Sequence, residues 1–129
     1  MSRNLAYISL IVDDYDRAID WYTRILSFRL IEDTAISETK RWVLISPGTS
    51  DSTMLLLARA ADDIQRKAIG NQTGGRVFLF LNTTQFDHDY NNLLLNGVTI
   101  EKPARIESYG RVAVFEDLYG NKWDLLEER

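Results

Sequence analysis

Arg76, Phe78 and Phe80 stand two residues apart and alternate with the apolar Val77, Leu79 and Leu81. On an extended strand that spacing puts a guanidinium and two aromatic rings on one face. A guanidinium fork among aromatic walls suits a flat ligand carrying a carboxylate, phenolate or polarised carbonyl. Little other chemistry is available. Cysteine is absent and histidine occurs once, as His88. The first fact removes disulfides, thiolate metal sites and cysteine nucleophiles. His88 is flanked by Asp87, Asp89 and Asn91, so it reads as a solvated surface imidazole and completes no Ser/His/Asp set. There is no glycine-rich phosphate loop and no nucleophile elbow.

The elements that must position these residues follow from periodicity. Leu5 to Val12 alternates: Ala6, Ile8, Leu10 and Val12 make an apolar face, and Leu5, Tyr7, Ser9 and Ile11 a mixed one, as in a half-covered strand. Asp13 then opens a helix, with Asp16 favouring its first turn and Tyr15, Ala18, Ile19, Tyr22, Ile25 and Leu26 as its stripe. Strands are expected over Phe28 to Thr34, Arg41 to Ser46 and Thr53 to Ala58, with polar turns at Ser37–Thr39 and Pro47–Ser52. A polar connector over residues 60–75 begins with a short helix and ends in a loop. The order then restarts: a strand from Arg76 to Asn82, then a helix begun by Thr84 with Asp87. The stripe of that helix is Phe86, Tyr90, Leu93 and Leu94, and Gly97 ends it in a left-handed cap. Strands at Val98 to Glu101 or somewhat beyond, Arg111 to Glu116 and Lys122 to Leu126 complete the second copy.

The chain therefore reads as βαβββ twice, with modules over about residues 5–59 and 76–127. Its 129 residues suffice for a core without covalent staples. A net charge of −4 with interspersed signs offers no basic stripe, so nucleic acid is not an expected partner. No apolar run approaches a membrane span, and the opening Met-Ser-Arg-Asn lacks the apolar core of a secretory signal. These features predict a cytoplasmic protein that does not engage membranes.

The run Tyr7 to Tyr22, the segment Arg41-Trp42-Val43 with Ser46-Pro47-Gly48, and the closing Phe115 to Leu125 together resemble the glyoxalase/bleomycin-resistance/dioxygenase (vicinal oxygen chelate) superfamily. In the closing hairpin Leu118 and Tyr119 depart from the usual Asp-Pro-Asp-Gly-Asn pattern. The resemblance implies an α+β fold in which two βαβββ modules curl an eight-stranded mixed sheet into a cup, helices outside, as a homodimer. It also implies four inward metal-ligand positions, which fall on Tyr7, Leu56 (or Ala58), Arg76 and Asp124. Only Asp124 is an ordinary ligand; Leu and Ala cannot coordinate, Arg repels a cation and neutral Tyr is a poor donor. No metal and no cofactor are therefore expected.

Arg76 and Asp124 then admit two readings: a buried ion pair in place of the metal, or a cation that receives the ligand while Asp124 orients it. Tyr7 is either a packed aromatic or a ligand-facing hydroxyl, and Arg111 either structural or ligand-reaching. The expected ligand set is Tyr7, Ser9, Leu56, Arg76, Phe78, Phe80, Arg111 and Asp124. The favoured function is metal-free binding of a small anionic or aromatic molecule. The alternatives are a superfamily enzyme of lyase, isomerase or dioxygenase type with an atypical ligand set, and a dimeric interaction module with a vestigial pocket.

Overall fold

The computed structural model describes residues 2–48 and 51–128. The chain forms two compact units, Met1–Ile69 and Gly70–Arg129. The first unit runs β1 (Tyr7–Val12), α1 (Tyr15–Arg24), β2 (Arg29–Ala35), β3 (Arg41–Ser46), β4 (Met54–Arg59) and α2 (Asp63–Ala68). The second runs β5 (Val77–Thr83), α3 (Phe86–Leu95), β6 (Ile100–Glu107), β7 (Gly110–Glu116) and β8 (Lys122–Glu127). Each has its own four-stranded mixed sheet, ordered β1-β4-β3-β2 and β5-β8-β7-β6, with its first and last strands parallel. The doubled βαβββ order and the α+β class are thus as the sequence reads.

In the first unit α1 is capped by Asp14, one residue later than expected. Its backbone is extended and its carboxylate accepts the Arg17 N–H at 2.9 Å. Asp13 instead pairs with the Arg17 side chain. Tyr15, Ala18, Tyr22 and Ile25 are buried, and Leu10, Val12, Val43, Ile45, Leu55 and Leu57 complete this core. The helix α2 belongs to this unit, so residues 60–75 are not one connector; the division falls at Ile69/Gly70. Thr49 and Ser50, in the turn after β3, lie outside the described residues.

In the second unit Phe86, Leu93, Val112, Ala113, Phe115, Trp123 and Leu125 are buried, whereas Leu94 is exposed and leaves the predicted stripe. Thr84 does not cap α3. Gln85 holds the cap position without a side-chain bond, and Thr83 fastens the turn by accepting from Gln85 N–H and donating to Asp89. The other end is as expected: Gly97 is left-handed at φ 68°. Its N–H bonds Leu94 C=O, and that of Val98 bonds Leu93 C=O, a Schellman closure. The strand β6 runs well beyond Glu101 and through Pro103. It is an edge strand with register shifts on both sides of Lys102, where a missing N–H costs no ladder bond.

The turn between β7 and β8 is organised by buried Asp117. Its Oδ1 accepts from the N–H groups of Tyr119 and Asn121, and its Oδ2 from Asn121 Nδ2, each at 2.9 Å. Gly70 packs against this turn so closely that a Cβ there would lie 1.9 Å from Tyr119 O. Among the described residues no helix is long and apolar enough to cross a membrane.

Candidate functional site

In each unit one arginine marks the helix-covered side of the sheet. Arg41, at the start of β3, reaches Asp16 of α1 at 2.9 Å and Asp33 of β2 at 2.7 Å, and its guanidinium lies over the Tyr15 ring. Arg111, in β7, reaches Asp87 of α3 at 2.6 Å and Glu127 of β8 at 2.7 Å, over the Phe86 ring. These carboxylates and hydrogen bonds raise both arginines' pKa values still further, while Arg41 holds Asp33 below the ordinary carboxylate range. Arg111 therefore joins strand to helix on the covered side. The side chains that alternate with these arginines face the other way.

On that open side of the first unit, Ser9, Leu56, Leu44 and Glu32 are cross-strand partners in one row. Tyr7 shares the face of Ser9 and is exposed, and its ring meets Trp42 edge-on with centroids 6.0 Å apart. The structure thus brings Tyr7, Ser9 and Leu56 together on one surface, with Trp42 added.

On the open side of the second unit the corresponding row is Phe80, Asp124, Val114 and Lys102. Beside it runs a row of Asn82, Leu126, Val112 and Arg105. Phe80 is 61% exposed. Asp124 is half-buried, and its Oδ1 is buried with no hydrogen-bond partner among the described residues. Desolvation raises the pKa of this carboxyl, while the charges of Arg105 and Lys102 oppose the shift.

Of the two readings of Arg76 and Asp124, the ion pair is not found among the described residues. Arg76 precedes β5 and is exposed, whereas Asp124 lies opposite Phe80, four residues further along. A register shift between Val77 and Leu79 also breaks the alternation on which the shared face of Arg76, Phe78 and Phe80 depended. Val77 thereby joins Phe80 on the side of Lys122 and Asp124, and Phe78 meets the buried Trp123 edge-on at 6.5 Å. The cations acting on Asp124 are Arg105 and Lys102, which lie beyond Glu101, where the sequence reading left the strand's end open.

The residues do not fit the metal of the resembled family. Of Tyr7, Leu56, Arg76 and Asp124 only the last is a carboxylate, and Ala58 as the alternative to Leu56 has no donor either. Among the described residues no three His, Cys, Asp or Glu side chains gather into a metal-binding group. His88 is exposed on α3.

Residues 4–125 match the family described as Glyoxalase/Bleomycin resistance protein/Dioxygenase superfamily. An uncharacterized protein of Shewanella frigidimarina is 55% identical over 128 residues, 98% of this chain and 95% of that protein. The solved structure of UcmS2 is similar with a TM-score of 0.83 at 25% identity, over 98% of each chain. TnmS3, an antibiotic binding protein from Streptomyces sp. CB03234, is similar with a TM-score of 0.78 at 26% identity, over 99% of this chain and 98% of its own. With a family match spanning nearly the whole sequence, this chain belongs to the glyoxalase/bleomycin resistance protein/dioxygenase superfamily.

Proposed function

We propose that the protein binds a small planar molecule, anionic or aromatic, through side chains and without a metal, and that it acts by binding rather than by turnover. One observation carries the reading: Asp124 Oδ1 is buried on the open face of the second unit with no hydrogen-bond partner among the described residues. A buried acceptor left unsatisfied costs about 1–3 kcal/mol, which a ligand donor would offset. Exposed Phe80 beside it offers a ring to stack on, and Lys102 and Arg105 supply a positive field for an acidic group. The likeness to TnmS3, an antibiotic binding protein, supports the same reading. The proposed ligand-facing residues are Tyr7, Ser9 and Leu56 in the first unit and Phe80 and Asp124 in the second; Phe78, turned to the buried Trp123, is left out. Arg76, exposed before β5, and Arg111, held on the helix side, are left out of this set.

The test is a thermal-shift screen of chelator-treated protein against aromatic antibiotics, thiol conjugates and keto acids. A ligand of the folded state raises the midpoint by mass action. The expected result is a hit among planar antibiotics that is not turned over. Turnover of the hit would transfer the reading to a superfamily enzyme, and no hit in any class would favour an interaction module. A homodimer is part of the proposal, supported by apolar side chains exposed on edge strands: Leu30 and Ile31 on β2 and Ile106 on β6. Sedimentation giving only monomer at tens of micromolar would count against it. So is a cytoplasmic location, supported by the absence of cysteine.

A further inference from the structure

The first unit carries a groove where β3 begins and β4 ends. Its volume is about 630 Å³, within the range of small-molecule sites. Trp42, Leu56 and Ala58 supply apolar wall, Lys40, Arg41 and Arg59 bring cations to it, and no Asp or Glu lines it. In a chain of net charge −4 that is an unusual concentration of one sign. The three cations are not equivalent. Arg41 is held by Asp16 and Asp33 on the helix side. Lys40 and Arg59 are exposed, and among the described residues neither side chain has a carboxylate partner. By contrast Arg17, Arg24, Arg66, Arg105 and Arg111 each hold a carboxylate at salt-bridge distance.

Lys40 and Arg59 both line the groove, one from each strand end. Val43 is opposite Leu57, and continuing that antiparallel count sets Arg59 across from Arg41, so Arg59 reaches the groove from the helix side and Lys40, which alternates with Arg41, from the side of Trp42. Two like charges at one rim repel, and an anion between them relieves that repulsion. The ring of Trp42 is steadied on one side by its edge-on contact with Tyr7.

We propose that this groove binds a planar aromatic carboxylate, with the ring system against Trp42 and the carboxylate between Lys40 and Arg59. The proposal rests on the binding reading above in taking a small molecule as occupant. It goes beyond that reading by assigning a place in the first unit and a charge to the ligand.

The experiment is a titration of ¹⁵N-labelled protein with 1-naphthoate, followed at the indole N–H signals of Trp21, Trp42 and Trp123, each assigned by its Trp→Phe variant. The Trp42 signal should move saturably while that of Trp21, on α1, stays. The neutral 1-naphthamide should bind about tenfold or more weakly than the acid, and so should 1-naphthoate to the Lys40→Ala/Arg59→Ala variant. Both substituted side chains are exposed, so the variant is expected to fold; if it does not, the acid-against-amide comparison on the unaltered protein decides alone. A stationary Trp42 signal, equal binding of acid and amide, or a folded double variant with unchanged affinity would each overturn the proposal. Movement of Trp123 without Trp42 would also overturn it while leaving the Asp124 reading intact. Unchanged 1-naphthoate affinity in Asp124→Asn, with loss in the double variant, would support the groove as a separate place.

Discussion

At the scale of single residues, Asp124 and Asp33 are carboxylates whose surroundings push them in opposite directions. Arg41 lowers the pKa of Asp33, so this group stabilises the fold above the ordinary carboxylate value and loses that contribution as pH falls through the lowered one. Burial raises the pKa of Asp124, so the folded state binds its proton more tightly than the unfolded chain does. Its ionisation therefore weakens the fold as pH rises from the ordinary carboxylate range through the raised value. Asp124→Asn should accordingly melt higher than the unaltered protein at pH 7, with the gap closing as pH falls below the ordinary carboxylate range. Melting curves across pH check this; a lower midpoint for Asp124→Asn at pH 7 would mean that the carboxylate has a stabilising partner. The sequence marked Asp124 as a site residue, since alternation in β8 is regular. It misplaced the cation, because a bulge in β5 leaves no signature in an alternating apolar run, and Arg76 looks like the next inward residue until the register is known.

At the scale of elements, the two modules repeat a device as well as an order. In each, an arginine near the start of the third strand ties a carboxylate in the helix's first turn to one in the sheet and covers the ring of the first helical residue. That device was not legible, because Asp33 and Glu127 occupy different strands and only the folded sheets bring them to equivalent places. Helix stripes were legible for α1, whose apolar spacing is regular. Leu94 fell outside its stripe because α3 packs a narrower face. The ends of elements yield a sharper test. Gly97 and Gly70 are both left-handed, at φ 68° and 75°, but only Gly70 abuts another backbone, whereas nothing lies within 4 Å of a Cβ at Gly97. Gly97→Ala should cost about 1 kcal/mol, the usual penalty of a left-handed alanine. Gly70→Ala should cost about 2 kcal/mol or more, because a methyl would collide with the Tyr119 carbonyl and displace the Asp117 turn. Denaturant unfolding of the two variants gives the order; equal losses would show that the Gly70 contact relaxes freely.

At the scale of the whole molecule, the doubled βαβββ order was readable because helix and strand periods alternate in the same succession twice. Family membership was readable from three short segments in that order. The boundary between the units was not, since a polar stretch reads as linker whether or not α2 packs back on the first unit. Nor was the place of Lys102 and Arg105 near Asp124, since the sequence left the end of their edge strand open beyond Glu101. The superfamily's metal chemistry requires donors that the described residues do not gather into one group, and the open faces instead hold aromatic rings, a desolvated carboxyl and cations. The central claim is therefore that binding proceeds through side chains alone. It is tested most directly by calorimetric titration of the strongest thermal-shift ligand into the protein before and after exhaustive chelation, with elemental analysis of both samples. The account predicts the same affinity in both and no stoichiometric zinc, nickel, iron or manganese. An affinity lost on chelation and restored by adding back one divalent metal per chain would contradict it.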